Sequence, residues 1–448
     1  MKKRANVIVF LTDQQRWDSS ALYGNPLNLT PNFDRMAMNG THFYNGFSCQ
    51  PVCGPARACI QTGKYATTVG TFVNGIPLPE KEKTLGYYFK NVGYETAYIG
   101  KWHLAGNEFG PVPQQMRNGY DYWLASNVLE FTSSPYKTTM YNNENQPVNL
   151  IGYRVDAVVD AAISYINKNQ KSPFFLFVSP IEPHMQNQID DFPPPEGYRE
   201  KYTSKWIPAD LAALGGSTHQ HLGGYWGMIK RIDEAFGRML DALRSLDLLE
   251  NTIVVYTSDH GCHFKTRNSE YKRSCHESSI HVPMAIQGPG FDGKGRVKNL
   301  ISLLDISPTI LDAVGIKVPS DMQGCSVMPL LKNQQEYRPD EVLIQISESQ
   351  VGRAIRTQRW KYYIADVDKD PIKQMESDRY EEQLLYDLKY DPHELCNLIS
   401  YDSHNKVKES LKIQLVKKMI EAGEKAPAII SARTKVDSQR NHWHFEMQ

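Results

Sequence analysis

Short continuous apolar runs alternate with amphipathic segments over roughly the first three quarters of the chain. Such runs are typical of strands that are covered on both faces, as in a parallel sheet. The segments that predict strands are residues 7–11, 96–99, 174–178, 252–256 and 282–286. Because helical segments lie between them, the pattern predicts an α/β fold with a large, mostly parallel sheet sandwiched by helices.

Capping residues and apolar spacing predict the helices. A threonine that could cap a helix and a glycine that could end it bracket two segments: Thr30 with Gly40, and Thr84 with Gly93. The longest helix is predicted to begin near Tyr225, because apolar residues recur from there at spacings of three and four. Another helix is predicted at residues 303–314.

The pattern changes after about Lys332. The elements predicted beyond it are short strands at residues 342–346, 353–356 and 360–364 and one helix at residues 405–422. They indicate a small antiparallel sheet with a helix. Because one core rarely grows this large, we expect a catalytic α/β domain at residues 1–335 and a smaller C-terminal domain at residues 336–448.

Composition excludes some classes of partner. The 448 residues carry 50 Lys and Arg against 50 Asp and Glu, so the formal net charge is zero. Without an overall field, neither nucleic acid nor a membrane is expected as a partner, and an anionic ligand needs a local cluster of charges. No apolar stretch approaches the ~20 residues that cross a bilayer.

The N-terminus has three basic residues, Lys2, Lys3 and Arg4, before its first apolar run. That run is short for a signal peptide, and no small-residue cleavage site follows it. As written, the chain is expected in the cytoplasm; it would be periplasmic or secreted if a signal has been removed.

The seven cysteines do not form a disulfide framework in a chain of this length. Cys49, Cys53 and Cys59 lie close together but lack the paired spacing of structural zinc sites. A Cys-x5-Arg phosphatase loop is absent as well, because position 59 holds Cys. On local pattern alone, each cysteine is best explained as a packed thiol.

Two predicted strands end in acidic residues. Asp13 follows the first strand, and Asp259 with His260 follows the strand at residues 252–256. Ligands of open parallel sheets gather at the carboxyl ends of strands, so these side chains should face one crevice. Carboxylates suit hard cations, while an imidazole admits manganese or zinc. A divalent metal site is therefore predicted there.

Cys53-Gly54-Pro55 lies where a loop is expected to turn into a helix that runs to about Lys64, with Pro55 at the first helical position. Cys53 would then lie against backbone N–H groups at the positive end of the helix, where an oxyanion can bind. Arg57 would add a fixed positive charge.

Several segments in sequence order resemble the signatures of the type I, formylglycine-dependent sulfatases of the alkaline phosphatase superfamily. The segment Cys53-Gly54-Pro55-Ala56-Arg57 resembles the Cys-x-Pro-x-Arg sequence that directs oxidation of the cysteine to formylglycine. The other similar segments are Thr62-Gly63-Lys64-Tyr65, Gly100-Lys101-Trp102-His103, Ser258-Asp259-His260-Gly261, Lys272 with residues 277–283, and Leu385-Tyr386-Asp387-Leu388. The resemblance implies a sulfatase that needs a formylglycine-generating or sulfatase-maturing enzyme as a partner.

The resemblance also implies catalytic roles. A hydrated aldehyde derived from Cys53 would attack sulfur once a metal has lowered its pKa. Arg57 would stabilise that oxyanion, and Lys101 would bridge it to a sulfate oxygen. His103 would take a proton so that sulfate is released. The residues implied to contact the sulfate and the leaving oxygen, one of them as general acid, are His184 and Lys272.

The implied metal ligands are Asp13, Gln14, Cys53, Asp259 and His260. Calcium is the family's usual ion, but Gln14 stands where many relatives have a second Asp, and His260 where they have Asn. Fewer carboxylates and an imidazole shift the preference towards manganese or zinc. The Asp259-His260 pair also resembles the metal segment of the phosphonate monoester hydrolase and phosphodiesterase branch.

The leading hypothesis is hydrolysis of a sulfate ester on a small sulfated saccharide. Positive residues near the metal segment fit an anionic substrate: Lys265, Arg267, Lys272 and Arg273. An alternative is hydrolysis of phosphonate monoesters or phosphodiesters by the same nucleophile, since these anions share a tetrahedral shape. A hypothesis of another class is a non-catalytic sulfated-glycan binder in which Cys53 stays unmodified.

Overall fold

The computed structural model describes residues 4–332 and 340–432. Its strands are β1 (Asn6–Thr12), β2 (Thr41–Phe47), β3 (Glu95–Lys101), β4 (Tyr122–Ser126), β5 (Ser133–Ser134), β6 (Lys137–Tyr141), β7 (Pro147–Leu150), β8 (Phe174–Ser179), β9 (Thr252–Ser258), β10 (Met284–Gln287), β11 (Gly295–Ser302), β12 (Glu341–Ile346), β13 (Val351–Thr357), β14 (Trp360–Asp366), β15 (Arg379–Asp387) and β16 (Ala428–Ile430).

The α-helices are α1 (Pro31–Asn39), α2 (Cys53–Thr62), α3 (Ala66–Val69), α4 (Leu85–Asn91), α5 (Leu129–Thr132), α6 (Arg154–Lys168), α7 (Tyr198–Tyr202), α8 (Ala209–Ala212), α9 (Thr218–Ser245), α10 (Glu277–Ile280), α11 (Ile306–Ala313), α12 (Met328–Leu331) and α13 (Asn405–Glu421). Short 3-10 helices lie at Trp17–Ser19, Ala21–Tyr23, Gln114–Arg117, Asn187–Ile189, Leu249–Asn251, Leu303–Asp305 and Asp402–His404.

One large sheet runs in the order β11-β2-β10-β9-β1-β8-β3-β4-β6-β5, with β7 paired to β6. Its centre, β9-β1-β8-β3-β4, is parallel, whereas β10 runs antiparallel to both of its neighbours. Every residue of β1 is buried, because successive side chains enter opposite core layers. Ile8 and Phe10 pack on the side of α6 and α9, and Val9 packs on the side of α2 and α11.

The predicted large mostly parallel sheet between helices is confirmed, with three differences. The strand predicted at residues 282–286 is β10, and it is antiparallel. The longest helix begins at Thr218 rather than near Tyr225. Its first turns contain Gly223 and Gly224, which do not contribute to an apolar pattern in the sequence. Both glycines are nevertheless buried, in close contact with residues 192 and 203. The segment at residues 303–314 is a 3-10 turn followed by α11.

The two threonine positions have different outcomes. Thr84 caps α4, since its side chain accepts a hydrogen bond from the Tyr87 backbone N–H. Thr30 precedes α1 but does not cap it, because its hydroxyl donates to Asp34 instead. The first backbone N–H groups of α1 are satisfied by the Asp233 carboxylate of α9, at 3.0 Å from Asn32 N and 2.8 Å from Phe33 N.

The second sheet has the order β12-β13-β14-β15-β16 and is antiparallel except for the last pair. It confirms the predicted small sheet, and α13 packs on one of its faces. Its other face joins the large domain through a shared apolar cluster that contains Phe47, Ile280, Ile344 and Tyr386. The boundary predicted at residues 335 and 336 lies outside the described residues.

In the part of the chain that the structure describes, no helix combines the length and the apolar character needed to span a membrane.

Candidate active site

The site lies at the carboxyl ends of the central parallel strands. Thr12 of β1 pairs in register with Ser258 of β9, so the residues that follow them, Asp13 and Asp259, are neighbours. The Asp259 N–H donates to the Thr12 carbonyl at 3.2 Å. Lys101 ends β3 at the same edge of the sheet. Asp13, Asp259 and His260, which the sequence predicts at one edge of the sheet, lie together there.

Cys53 completes this group from the other side. It is the first residue of α2, so Pro55 lies at the third helical position and the prediction that it occupies the first is wrong. Asp13, Cys53, Asp259 and His260 each offer one ligand atom, and these atoms lie within 4.8 Å of one another. The Cys53 Sγ is 3.2 Å from His260 Nε2 and 3.5 Å from Asp13 Oδ1.

These residues fit a divalent cation by the chemistry of their free atoms. His260 Nδ1 donates to the Gly261 carbonyl at 3.0 Å, which leaves the Nε2 lone pair directed at the group, as in metal-binding histidines. Asp259 Oδ2 accepts no hydrogen bond within the described residues, although Arg57 lies 3.3 Å away. Gln14 Oε1 is likewise buried and unpartnered there. Carboxylate, amide and imidazole donors of this kind suit calcium, manganese or zinc.

Cations surround the group on the remaining sides. Arg57 donates to Asp13 at 3.0 Å, and Lys101 Nζ lies 2.8 Å from Asp13 and 2.8 Å from Glu130. Lys272 Nζ donates to Cys53 Sγ at 2.8 Å. All three side chains are buried. The position of residue 53 is therefore suited to the stabilisation of a negative charge.

The charges perturb the pKa values of the group. Burial would raise the pKa of the Cys53 thiol, but Lys101 and other cations hold it well below its ordinary value. Burial and the neighbouring Asp13 raise the pKa of Asp259 to about 7. Burial also opposes ionisation of Asp13, yet its cationic neighbours lower its pKa. The negative charge of Asp13 is thus offset by cations within the protein, whereas that of Asp259 is not.

Two histidines line the same cleft. His184 Nδ1 donates to the Met185 carbonyl at 2.6 Å, and its Nε2 lies 3.0 Å from Lys272 Nζ. Burial and Lys272 lower the pKa of His184, so its imidazole is neutral and accepts from the lysine. His103 has a positive φ of 60°. Its Nδ1 has no partner among residues 4–332 and 340–432.

The cleft has a volume of about 430 Å³. Six of its lining residues were predicted from the sequence: Gln14, Cys53, His103, His184, Lys272 and Arg273. Arg57 and Lys101 lie behind them, in contact with Asp13. Lys265 and Arg267, the other positive residues near the metal segment in sequence, are not among the lining residues of the cleft. Lys265 pairs with Asp190, and Arg267 donates to the carbonyls of His393 and Glu394.

Asn74 and Glu130 are among the polar residues of the cleft that sequence reasoning missed. The Asn74 side chain accepts from the Gly54 N–H at 2.9 Å, and a Cβ at position 54 would lie only 3.0 Å from that oxygen. The Asn74 N–H donates to Glu348, which follows β12, at 2.6 Å. Neither residue belongs to a motif, so only the tertiary structure brings them to the site.

Known families and structures match most of the chain. The family model described as Sulfatase matches residues 5–316, and the model described as N-sulphoglucosamine sulphohydrolase, C-terminal, matches residues 270–421. An ulvan-active sulfatase of Formosa agariphila is 33% identical over 439 residues, which cover 94% of this chain and 82% of that protein.

Solved structures share the fold. A protein in complex with its substrate D-glucosamine-2-N,6-O-disulfate superposes with a TM-score of 0.76 at 24% identity, over 95% of this chain and 99% of that chain. The phosphonate monoester hydrolase of Agrobacterium radiobacter superposes with a TM-score of 0.71 at 21% identity, over 94% and 96% of the two chains.

A parallel sheet that gathers acidic, imidazole and cationic groups at its carboxyl edge, together with these matches, defines a hydrolase of the alkaline phosphatase-like fold. The chain belongs to the sulfatase family of that fold and is a sulfuric ester hydrolase.

Proposed function

We propose that the chain hydrolyses sulfate esters of carbohydrates after Cys53 has been converted to formylglycine by a maturing enzyme. The observation that carries this proposal is the position of Cys53. It lines the cleft, with the acidic and imidazole group on one side and Lys272 at 2.8 Å on the other. A residue held between potential metal ligands and cations is suited to attack an anionic ester.

The proposed metal ligands are Asp13, Gln14, Asp259 and His260, together with the formylglycine at position 53. A bound divalent cation would lower the pKa of the hydroxyl group at position 53 and offset the charge of the sulfate. Two carboxylates and an amide oxygen suit calcium, while the His260 Nε2, which faces Cys53 Sγ at 3.2 Å and Lys272 Nζ at 3.3 Å, admits manganese or zinc. Metal analysis of the purified protein identifies the ion.

The surrounding residues then act directly on the substrate. Arg57 and Lys101 hold negative charge at residue 53 and at the nearest sulfate oxygen. Lys272 Nζ donates to His184, so the proton available to the leaving oxygen is held on Lys272. His103, whose Nδ1 is free of partners in the described part of the chain, accepts the proton that accompanies sulfate release.

A carbohydrate substrate is supported by the relative that acts on ulvan, a sulfated polysaccharide. The cleft is consistent with such a ligand. Its wall contains polar residues such as Asn74 and Asn107 together with the aromatic rings of Phe109 and Phe131. Sites that combine apolar surface with a few fixed polar groups bind small organic ligands.

The test compares rates on an aryl sulfate, a phosphonate monoester and a phosphodiester with the same leaving group. The sulfate should be the preferred substrate, and Cys53→Ala should abolish its hydrolysis. Cys59→Ala is the matched control, because Cys59 lies on the same helix but packs in the apolar core. Its rate per folded molecule should equal that of the unaltered protein.

A second candidate activity is hydrolysis of phosphonate monoesters or phosphodiesters. The observation that favours it is His260, whose Nε2 lies 3.6 Å from both Asp13 and Asp259 and gives the site an imidazole. If the phosphorus esters are hydrolysed faster than the aryl sulfate by orders of magnitude, they and not the sulfate ester are the main substrates.

A further inference from the structure

Glu130 is a buried acid on the wall of the cleft. It lies in the first turn of the short helix α5 and is 4% exposed. Its Oε1 accepts a hydrogen bond from Lys101 Nζ at 2.8 Å. Its Oε2 has no hydrogen-bond partner in residues 4–332 and 340–432. Half of this carboxylate is therefore engaged by the site, and half is not.

A free carboxylate oxygen in such a place calls for a donor. Buried polar atoms nearly always have a hydrogen-bond partner, and an unpaired one costs about 1–3 kcal/mol. Burial opposes ionisation of Glu130, but Lys101 and the nearby histidines lower its pKa, so the group is a carboxylate and can only accept. Because Glu130 lines the cleft, a ligand bound there can supply such a donor.

The surroundings of Glu130 indicate which part of a ligand it meets. Lys101, bonded to its other oxygen, also contacts Asp13 of the acidic group, so Glu130 lies beside the reacting end of the cleft. The next residue, Phe131, stacks on Phe109 with ring centroids 4.5 Å apart, and both rings are about half exposed. The cleft wall next to the free oxygen is therefore partly apolar.

We infer that Glu130 is a specificity residue that accepts a hydrogen bond from an O–H or N–H group next to the sulfate ester of the substrate. This inference rests on the proposed function. It names the substrate class more closely: sulfated saccharides with a free hydroxyl or amide on the carbon beside the sulfate. Sites built to bind a hydroxyl reject analogues that lack it more strongly than apolar pockets discriminate by size.

The test is a cycle of two enzymes and two probes, 2-hydroxyphenyl sulfate and phenyl sulfate, which differ only in a hydroxyl next to the ester. Glu130→Gln keeps an oxygen for Lys101 and removes the charge that strengthens the second hydrogen bond. Hydrogen bonds to charged groups contribute about 1.5–3 kcal/mol. The preference in kcat/KM for the hydroxylated probe should therefore fall by roughly tenfold or more in the variant.

The cycle separates specificity from a positioning role through Lys101. An equal loss of kcat/KM on both probes would mean that Glu130 acts only on Lys101 and would overturn the inference. An unchanged preference for the hydroxylated probe would overturn it as well. The matched control is Glu182→Gln: Glu182 is also buried, with Oε1 on Arg154 at 2.8 Å and Oε2 unpartnered in the described residues, but it does not line the cleft. The Glu182→Gln variant should retain the preference in kcat/KM for the hydroxylated probe.

Failure of the proposed function gives a different result. If the unaltered protein releases sulfate from neither probe nor from any sulfated saccharide, the sulfatase proposal is overturned and the role of Glu130 with it. If it hydrolyses both probes without a preference that depends on Glu130, only the inference on Glu130 is wrong.

Discussion

Two buried groups of charges can be compared in this molecule. One is the site cluster, formed by Asp13, Cys53, Asp259 and His260. The other is the junction cluster, formed where the two sheets meet by Glu277, Arg356, Lys361 and Glu394. In the junction cluster Lys361 Nζ lies 2.8 Å from Glu277 and also bonds Glu394, and Arg356 lies 3.3 Å from Glu277. All are buried.

The clusters differ in how their oxygens are used. In the junction cluster each carboxylate oxygen has a partner: Glu277 faces Lys361, Arg356 and His281, and Glu394 accepts from Lys361 and from the Glu277 N–H at 2.8 Å. In the site cluster Asp259 Oδ2 accepts no hydrogen bond from a described residue. A closed set of charges holds the fold, whereas an open set beside a cleft is prepared for a ligand.

Asp259→Asn should give the largest effect. The pKa of Asp259 is raised to about 7, so the folded protein gains little from this carboxylate unless a cation binds it. Sulfate-ester hydrolysis should fall by about 10³-fold, because a bound metal contributes several kcal/mol to such reactions. Thermal unfolding in the presence of a chelator should be almost unchanged, and stabilisation by added metal should be lost.

Kinetic assays measure the rate of sulfate-ester hydrolysis, and calorimetry measures thermal stability. Both are carried out with and without calcium, manganese and zinc. A variant that keeps its activity, or one that loses stability in the metal-free state, would contradict the view that the site cluster is open.

Lys361→Met should show the opposite behaviour. It leaves the Glu394 carboxylate buried without its cation, and such losses cost about 3–5 kcal/mol. The free energy of unfolding should fall by that amount, while kcat/KM per folded molecule stays within about threefold. Urea unfolding followed by circular dichroism measures the first quantity.

The double variant Lys361→Met with Glu394→Gln is the control, because it removes the unpaired charge together with its partner. It should recover part of the lost stability. If the single variant is as stable as the unaltered protein, the junction cluster does not hold the fold.

The segment between the clusters should respond to acid. His263 Nε2 donates to the Lys272 carbonyl at 3.0 Å, and burial lowers the pKa of His263 to about 3. The unfolded state binds a proton near pH 6.5, so stability contributed by the neutral imidazole is lost as the pH falls below that value. Between pH 6.5 and 5.5 the loss approaches about 1 kcal/mol.

His263→Gln keeps a donor for Lys272 and cannot be protonated. Its urea midpoint should therefore change less between pH 7.5 and pH 5.5 than that of the unaltered protein. Equal changes in the two proteins would show that His263 does not cause the dependence.

The sequence predicts the parts of the fold whose local pattern and tertiary role agree. β1, β8 and β9 are continuous apolar runs because both of their faces are covered, and Asp13 and Asp259 follow directly from where two of them end. By contrast, β2 reads Thr-His-Phe-Tyr-Asn-Gly-Phe, and its polar residues are buried by neighbours distant in sequence. No local pattern marks it as a strand.

The same distinction holds in the site. Motif residues were predicted because their spacing along the chain is fixed, whereas Glu130 and Asn74 are functional candidates only through their contacts. Arg267 shows the reverse case: a cation near the metal segment in sequence does not line the cleft and donates instead to the carbonyls of His393 and Glu394. Proximity along the chain could not reveal that direction.

We expect the site cluster to contain a formylglycine at position 53. Mass spectrometry of the peptide that contains Cys53, from protein purified from its native host and active on a sulfate ester, tests it most directly. Conversion replaces the thiol sulfur and two hydrogens with one oxygen, so the peptide should be lighter. An unmodified cysteine in the active protein would contradict it.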